Sequence, residues 1–380
     1  MIGILIIIYA IYISYKQKRE SHFLIYNLLI ISLIFLFGIQ NYEAVYQVEP
    51  KPSDTYLYYT AFKTFLSDIN HYLFYQYPLF LRIMIYPLKN AYFALYIQSN
   101  IVFLLIMLIS EKLNNLYFFI LYMNHTLIYT NVNFFKDNYI IIVGLLGIYL
   151  LQKIKNKIFQ SVIIYISVFF IDLVRPFFKF FYFLLILPFI KNKKLKAKHL
   201  IVFYISIFFF ISIIIYIYSE TIFSVLDVME KSGDSSLGFS LTSPIRSFFG
   251  PTPIRFLFHE NYFEQPFLKS QGYIYYFLHI IFYFLFPVVI IIFIIDIKKY
   301  FYLNKIKTDS LFSFSISFLT FSVYQVVYGS ADIRQRAIII LFFVFFVLNE
   351  TDIKVEKLID YKFIYSIFLI MEGLLSYFSL

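Results

Sequence analysis

The chain has 380 residues, of which 61% are hydrophobic and 14% are charged, and its formal net charge is +10. A soluble domain carries about 25% charged and about 45–50% apolar residues, so the side chains that would cover a water-facing surface are missing. The composition therefore excludes a soluble globular fold and requires lipid to solvate much of the chain. Because cysteine is absent, disulfides, thiolate metal sites and a cysteine nucleophile are excluded as well.

Apolar runs long enough to cross a bilayer recur along the sequence and predict an all-α, polytopic integral membrane protein with a single transmembrane domain over residues 1–380. Positive charge follows the first run instead of preceding it, so we expect a retained span and not a cleaved signal peptide. About twelve transmembrane helices are predicted on this basis. They cover residues 1–15, 22–39, 91–110, 115–130, 138–152, 157–171, 176–190, 200–218, 273–295, 310–328, 337–349 and 361–379.

Lysine clusters between these runs set the predicted orientation, because positively charged connections stay in the cytoplasm. More than half of the 32 basic residues lie in alternate connections. These connections are residues 16–19, 112, 153–157, 191–198, 298–307 and 354–362. Both termini are then expected on the non-cytoplasmic side. Since topology explains the net positive charge, no nucleic-acid partner is predicted.

Two connections on the predicted non-cytoplasmic side are much longer than a turn, residues 40–90 and 219–272. Loops of this length commonly carry function. Within the first loop, the apolar residues 72–88 contain two prolines and an arginine, which predicts an interfacial or re-entrant helix. Within the second, Gly250 to Pro253 form a stiff turn with an arginine on each side.

Arginine and lysine are distributed differently along the chain. Of the seven arginines, only Arg19 falls on the predicted cytoplasmic side, where the basic clusters are otherwise lysine. A planar guanidinium binds phosphate or diphosphate oxygens with two parallel hydrogen bonds, whereas an ammonium group acts as a point charge. Alternatively, each arginine pairs with a nearby acid or extends to lipid headgroups. The candidate phosphate-binding residues are Arg82, Arg175, Arg246, Arg255, Arg334 and Arg336.

Three carboxylates at the edges of predicted helices on the same side are candidate acid–base catalysts: Asp54, Asp137 and Asp172. Capping of the following helix is the alternative role for Asp54, and an ion pair with Arg175 is the alternative for Asp172. We predict no cofactor and no metal site, because the histidines lack metal-ligand spacing. A divalent ion held by such a carboxylate remains an alternative.

Four short motifs are spread along the chain: an Asp-Thr-Tyr segment from Asp54 to Tyr59, Lys136-Asp137, Arg175-Pro176 and Arg334-Gln335-Arg336. Together they resemble the bacterial polysaccharide polymerases of the Wzy and EpsG type and, more distantly, the GT-C membrane glycosyltransferases. The resemblance implies transfer of sugars from a polyprenyl-linked donor at the outer face, with arginines on the diphosphate and a carboxylate assisting the acceptor hydroxyl. The chain departs from GT-C enzymes because its first external loop has no acidic pair and no large soluble domain follows.

The sequence thus predicts an enzyme of the bacterial plasma or inner membrane, an envelope polysaccharide polymerase or glycosyltransferase. Its substrate would be a polyprenyl-phosphate- or diphosphate-linked sugar, and its partners the lipid bilayer and other envelope glycan assembly proteins. One alternative is a flippase or transporter of a lipid-linked or small anionic substrate, and another is a non-catalytic assembly subunit. The near absence of charge inside the spans favours surface chemistry over transport.

Overall fold

A computed structural model of the protein describes residues 2–36, 91–133, 135, 137–174, 178–190, 206, 278, 280–296, 320, 333–351 and 360–378. These residues form helices and contain no β-strand, so the all-α prediction is confirmed for this part of the chain. Apart from single residues, the predicted spans 200–218 and 310–328 lie outside the described residues, as do both long loops.

Eleven helices occur in the described ranges. Nine of the predicted spans each coincide with one helix to within a few residues, except at residues 273–279 and 333–336, and the predicted span 115–130 corresponds to two helices. The helices are α1 (Ile2–Lys16), α2 (Glu20–Leu36), α3 (Ala91–Ile109), α4 (Asn115–Tyr122), α5 (His125–Asn131), α6 (Asp137–Lys153), α7 (Lys157–Asp172), α8 (Phe178–Ile190), α9 (Ile280–Asp296), α10 (Ile333–Glu350) and α11 (Lys362–Phe378).

The predicted span at residues 115–130 is not a single helix, because the structure divides it into α4 and α5. The break lies at Met123 and Asn124. The Asn124 Oδ1 atom accepts hydrogen bonds from the Thr126 amide at 3.1 Å and the Thr126 hydroxyl at 2.7 Å, which caps a new helix. Asparagine competes with the helix for backbone donors in this way even inside an apolar run.

A two-helix hairpin forms the amino-terminal part of the fold. Helix α1 ends at Lys16 and is followed closely by a left-handed residue, Lys18, whose φ is 56°. The following amide, that of Arg19, donates to the Ser14 carbonyl at 2.8 Å, and the Lys18 amide donates to Tyr15 at 3.1 Å. These two bonds define a Schellman motif, which satisfies the last carbonyls of α1 and reverses the chain into α2.

Helix α3 packs into this hairpin and runs parallel to α1. Near the start of both helices, Gly3 faces the side chain of Ile97. Near their ends, the Gln17 Nε2 atom donates to the Met107 carbonyl at 3.3 Å. Since contacts at both ends connect residues in the same order, the two helices point in the same direction.

Aromatic side chains join α2 to α3 in the antiparallel direction. The Tyr26 ring stacks on Phe103 with centroids 4.3 Å apart, and Phe35 lies 6.4 Å from Tyr92. Stacked and edge-to-face ring pairs contribute about 0.5–1.5 kcal/mol beyond their buried area. This packing fixes the relative position of the helices that surround the polar centre described below.

Three basic connections meet at one end of the helix bundle, which we call the basic end and define by residues 16–19, 110–114 and 153–157. The Arg19 side chain bonds to the second connection, and Lys153 lies 3.6 Å from Glu111 in an exposed ion pair. The sequence placed these three connections on one side of the membrane, and the helices bring them together.

Arg19 is buried at the basic end, with only 2% of its surface exposed. Its guanidinium donates to the carbonyls of Ser110 at 3.0 Å and Leu113 at 2.6 Å, and it lies 4.1 Å from the centre of the Phe118 ring. Burial lowers the pKa of Arg19 to about 10, although the charge of nearby Glu111 opposes this shift, so the group stays protonated at neutral pH. Arg19 thus supports the fold by capping the end of α3.

Helices α6, α7 and α8 approach each other through small residues. The Tyr182 hydroxyl of α8 donates to the Gly144 carbonyl of α6 at 3.2 Å. One turn further along α6, a Cβ atom added at Gly147 would meet the Tyr182 hydroxyl and the Ser167 hydroxyl. Glycine is therefore required at residue 147 by close approach of its neighbours.

The outer faces of two helices are as apolar as an ordinary protein core. In α1, the buried face carries small residues such as Gly3, Ala10 and Ser14, while large side chains such as Leu5 and Tyr12 are more than half exposed. In α7 the buried residues are Ser167 and Ile171. The exposed large side chains of α7 are Ile158, Phe159, Val162, Tyr165, Ile166, Phe169 and Phe170.

One described helix is long and apolar enough to cross a membrane, the segment Tyr92–Ile109 of α3, and 78% of that segment is buried in the bundle. Four apolar helices are shorter: Gly3–Lys16, Glu20–Phe35, Ile280–Asp296 and Arg336–Asn349. Because a core helix of a soluble protein satisfies the same criterion, length and composition alone do not establish twelve spans.

We expect Gly147→Ala to lower the free energy of unfolding by about 1–3 kcal/mol, because the new methyl group overpacks the contact with Tyr182 and Ser167. Thermal unfolding of the purified protein in detergent measures the effect. Gly144→Ala is the matched control, since a Cβ there would meet its nearest atoms at 3.3 Å and needs only a small adjustment. Equal destabilisation by the two variants would contradict the close-approach argument.

Candidate functional site

Polar side chains occupy the middle of α3, inside the bundle. Gln98, Ser99 and Asn100 follow one another there, and each is at most 1% exposed. The Gln98 Nε2 atom donates to the backbone carbonyls of Asn131 at 3.1 Å and Asn133 at 3.4 Å. The Ser99 hydroxyl lies 3.1 Å from the Asn131 carbonyl and 2.9 Å from the Leu95 carbonyl of its own helix. Helix α3 therefore binds the end of α5.

A second amide supports the same turn from the other direction. Asn138, in the first turn of α6, donates through Nδ2 to the carbonyls of Thr130 at 2.7 Å and Asn133 at 2.9 Å. The described residues of the turn between α5 and α6, Val132, Asn133 and Phe135, are buried. Side chains satisfy the carbonyls of Thr130 and Asn133, as the burial of peptide groups requires. We call Gln98, Ser99, Asn131, Asn133 and Asn138 the amide cluster.

Helix α2 completes the cluster with one tyrosine. The Tyr26 hydroxyl donates to the Ser99 carbonyl at 3.1 Å and accepts a hydrogen bond from the Asn131 Nδ2 atom at 3.3 Å. Its ring is almost fully buried, at 1% exposure, against Phe103. Four elements, α2, α3, α5 and the start of α6, therefore share one hydrogen-bond network.

The amide cluster has more acceptors than the protein satisfies. The side-chain oxygens of Gln98, Asn131 and Asn138 are buried and have no hydrogen-bond partner. An unsatisfied buried polar atom costs about 1–3 kcal/mol. Three of the residues that support this turn each carry such an oxygen, and Asn27 and Asn100 carry similar ones elsewhere in the described bundle.

Asp137, one of the predicted catalytic carboxylates, lies next to the amide cluster. It is the first residue of α6 and is 4% exposed. The free backbone N–H groups at a helix amino terminus favour a negative charge at this position. Asp137 therefore lies beside the polar side chains of the amide cluster, at the amino terminus of α6. The carboxyl terminus of α6 is the one that lies at the basic end.

Asp172, the second predicted carboxylate that the structure describes, is engaged differently. At the end of α7 it forms an ion pair with Lys179 of α8 at 2.9 Å, and both side chains are about one-third exposed. The alternative partner considered from the sequence, Arg175, lies outside the described residues. Tyr139 and Phe170 contact each other with ring centroids 6.3 Å apart, so both acids lie at the same end of the α6–α7 pair.

The predicted phosphate-binding arginines are described only in part. Arg334 lies in the first turn of α10, and Arg336 in the same helix is partly exposed. Two residues after Arg336, the Ile338 side chain would lie 3.6 Å from a Cβ at Gly144, which packs α10 against α6. The other candidates lie outside the described residues; they are Asp54, Arg82, Arg175, Arg246 and Arg255.

Sequence reasoning did not identify the amide cluster, although the sequence contains an indication of it. The uncharged triplet Gln98 to Asn100 interrupts an apolar run at its centre, and Asn131, Asn133 and Asn138 follow closely spaced. The candidates chosen from the sequence were ionisable residues, so these uncharged amides were not among them. Within the described ranges, no group of three or more His, Cys, Asp or Glu side chains is arranged to hold a metal ion.

Comparison with known proteins found no matching family model, no similar curated protein and no similar solved structure. The likeness to the Wzy and EpsG polymerases and to GT-C enzymes is therefore an expectation from the four motifs. The function must be argued from the chemistry of the residues.

We expect Asn138→Leu to destabilise the protein by about 2–4 kcal/mol, because the carbonyls of Thr130 and Asn133 lose a buried donor. Thermal unfolding in detergent measures this loss. Asn27→Leu is the control, since the Asn27 side chain is also buried but donates only to Phe23 in its own helix, at 2.8 Å. A loss at residue 27 as large as that at 138 would argue against a special role for the turn.

Proposed function

We propose that the chain is a multi-pass protein of the bacterial plasma or inner membrane with about twelve transmembrane helices. Support comes from the large apolar side chains on the outward faces of α1 and α7, which water would solvate poorly and lipid would solvate well. The small residues on the inward faces are typical of helices that pack within a bilayer. The basic end is assigned to the cytoplasm, because positively charged connections remain there.

For the function, we propose an envelope polysaccharide polymerase or glycosyltransferase that acts on a polyprenyl-linked sugar at the non-cytoplasmic face. The observation that carries this proposal is Asp137, which is buried beside the amide cluster on the half of the bundle opposite the basic end. A carboxylate in such a place is a candidate general base. It is favoured over Asp172 because Asp137 is 4% exposed, whereas the Asp172 side chain is about one-third exposed.

The distribution of arginine supports a phosphate-bearing substrate on that half. Arg19, the one arginine at the predicted cytoplasmic face, is occupied with backbone carbonyls and an aromatic ring. We assign the arginine candidates predicted on the other face, including Arg334 and Arg336, to the donor diphosphate. Lysine meets the topological need for charge at the basic end.

The proposed reaction is transfer of a glycosyl group to an acceptor hydroxyl. The hydroxyl oxygen bonds to the anomeric carbon of the donor while the bond from that carbon to the diphosphate oxygen breaks. The hydroxyl proton passes to the Asp137 carboxylate, and the charge left on the departing diphosphate is stabilised by guanidinium groups.

A flippase or transporter is the second candidate, and a specific observation favours it. Helix α4–α5 is discontinuous, and the amide cluster lies at the middle of α3, the helix that is long enough to span a bilayer. Broken helices and polar groups near the bilayer midplane are typical of secondary transporters. The near absence of charge inside the predicted spans favoured surface chemistry over transport. The buried amide cluster weakens that preference, because it places uncharged polar groups inside the bundle.

Deleting the gene should distinguish the two candidates. Loss of a polymerase leaves single repeat units exposed outside the cytoplasm, whereas loss of a flippase leaves no units there. We expect the former, measured as glycan length and amount after extraction of the envelope and gel electrophoresis. An unchanged glycan profile would refute both functions, and a complete absence of external units would favour transport.

Asp137→Asn should reduce polymer formation by at least about 100-fold, because the amide cannot accept the acceptor proton. The assay is restoration of long glycans in the deletion strain, with the amount of variant protein in the membrane measured in parallel. Asp172→Asn is the matched control, and it should restore polymer because that acid serves a partly exposed ion pair with Lys179. Normal polymer with Asp137→Asn would eliminate it as the base.

A further inference from the structure

Helix α7 has an exposed apolar face that begins at the basic end. Its buried side chains, Ser167 and Ile171, lie in its second half, whereas the residues of its first turn are exposed. Four of the exposed apolar side chains are spaced four, three and four residues apart, which places them along one face of the helix. We call them the α7 stripe; they are Ile158, Val162, Tyr165 and Phe169.

The length of the α7 stripe matches one leaflet of a bilayer. From Ile158 to Phe169 the helix rises about 16 Å. Half of a hydrocarbon core that is about 30 Å thick is about 15 Å. Helix contacts within a bilayer use small residues that let backbones approach closely, whereas the stripe carries large side chains. A lipid acyl chain therefore fits the stripe better than a further helix or a second copy of the chain.

Positive charge lies at the start of the stripe. Lys155 and Lys157 are exposed and take part in no ion pair with the other described residues, whereas Lys153 lies 3.6 Å from Glu111. The sequence has no acidic residue from 138 to 171 that could neutralise them locally. Two ammonium groups are therefore available to an anionic partner at the end of the stripe where a lipid headgroup would lie.

Side-chain hydrogen bonds fix the connection that carries these lysines. The Asn156 Oδ1 atom accepts from the Ile158 amide at 2.9 Å and from the Phe159 amide at 3.5 Å. The Gln160 Nε2 atom donates to the Ile154 carbonyl at 2.7 Å. Because Asn156 occupies two amides at the start of α7, the lysine side chains are the main donors left for an anion. Their backbone is already ordered, which lowers the entropy cost of binding.

We propose that Lys155, Lys157 and the α7 stripe bind an anionic phospholipid of the cytoplasmic leaflet. The ammonium groups contact the headgroup phosphate, and one acyl chain lies along the stripe. Phosphatidylglycerol keeps its negative charge, whereas the choline of phosphatidylcholine cancels that of its phosphate. The attraction of two lysines should favour the anionic lipid by at least about tenfold. The proposal rests on the proposed membrane placement of the chain and is independent of its glycan chemistry.

The absence of tryptophan from the chain allows a direct test. Tyr165→Trp places a single tryptophan on the stripe, at a side chain that is 73% exposed, where brominated acyl chains would quench its fluorescence. The full chain is reconstituted in phosphatidylcholine vesicles that contain a small, equal fraction of brominated phosphatidylglycerol or brominated phosphatidylcholine. We expect the quenching curves to give at least about tenfold higher relative affinity for phosphatidylglycerol. Equal quenching by the two lipids would overturn the proposal.

Leu5→Trp is the control for general contact with lipid. Leu5 is exposed on the outer face of α1, near the end of that helix that is remote from the basic end, so both lipids should quench it equally. If neither lipid quenches either tryptophan, the membrane placement itself fails. If both lipids quench both tryptophans equally, only the phospholipid site fails. Quenching at residue 5 but not at 165 would show that protein covers the stripe, which also refutes the site.

Lysine variants locate the headgroup contact. In the Tyr165→Trp protein, Lys155→Gln with Lys157→Gln should remove the preference for phosphatidylglycerol and leave quenching by phosphatidylcholine unchanged. Lys16→Gln with Lys18→Gln is the matched control, because these lysines are also exposed at the basic end but follow α1. This pair should retain the preference. Equal loss of preference in the two double variants would indicate general attraction of the basic end to an anionic surface and would contradict a site at α7.

Discussion

The turn between α5 and α6 lies inside the helix bundle, and side-chain amides from α3 and α6 bind its backbone carbonyls. Peptide groups away from water need partners within the protein, and for this turn Gln98 and Asn138 provide them. Because side chains satisfy backbone carbonyls at this buried turn, α6 can begin inside the bundle. Its first residue, Asp137, is therefore buried, whereas a surface connection would leave it exposed. The candidate chemistry of the described residues depends on this pairing.

At the basic end, the protein uses its two kinds of cation for different purposes. Arg19 is buried and uses its fork of donors to bind the carbonyls of Ser110 and Leu113, whereas Lys153 remains exposed beside Glu111. A lysine could not make the same pair of directed bonds from one planar group. Arg19 is the one arginine on the predicted cytoplasmic side, and its role there is structural. The other six arginines all lie on the predicted non-cytoplasmic side.

The helices were predictable because long apolar runs end at clustered charges or at asparagine; the run at residues 91–110, for example, corresponds to Ala91–Ile109. The break at Asn124 was not predictable, because one capping side chain acts locally and hardly changes the mean hydropathy of the apolar run. The ion pair between Asp172 and Lys179 spans the α7–α8 connection. The sequence suggested Arg175 instead, because it lies about one turn from Asp172. The amide cluster was not predicted because its residues are uncharged and its two groups, at residues 98–99 and 131–138, are far apart in sequence. The orientation, span count and arginine sites remain predictions.

Helix α1 turns Gly3, Ala10 and Ser14 inward together with Ile13, while its tyrosines and the isoleucines at residues 4, 8 and 11 are exposed. Gly147 of α6 meets its neighbours in the same close manner. Hydropathy therefore does not record which face of such a helix is internal, because both faces are apolar. Side-chain volume does. Along α1, where three of the four buried residues are small, a plot of residue size locates the interior better than a plot of polarity.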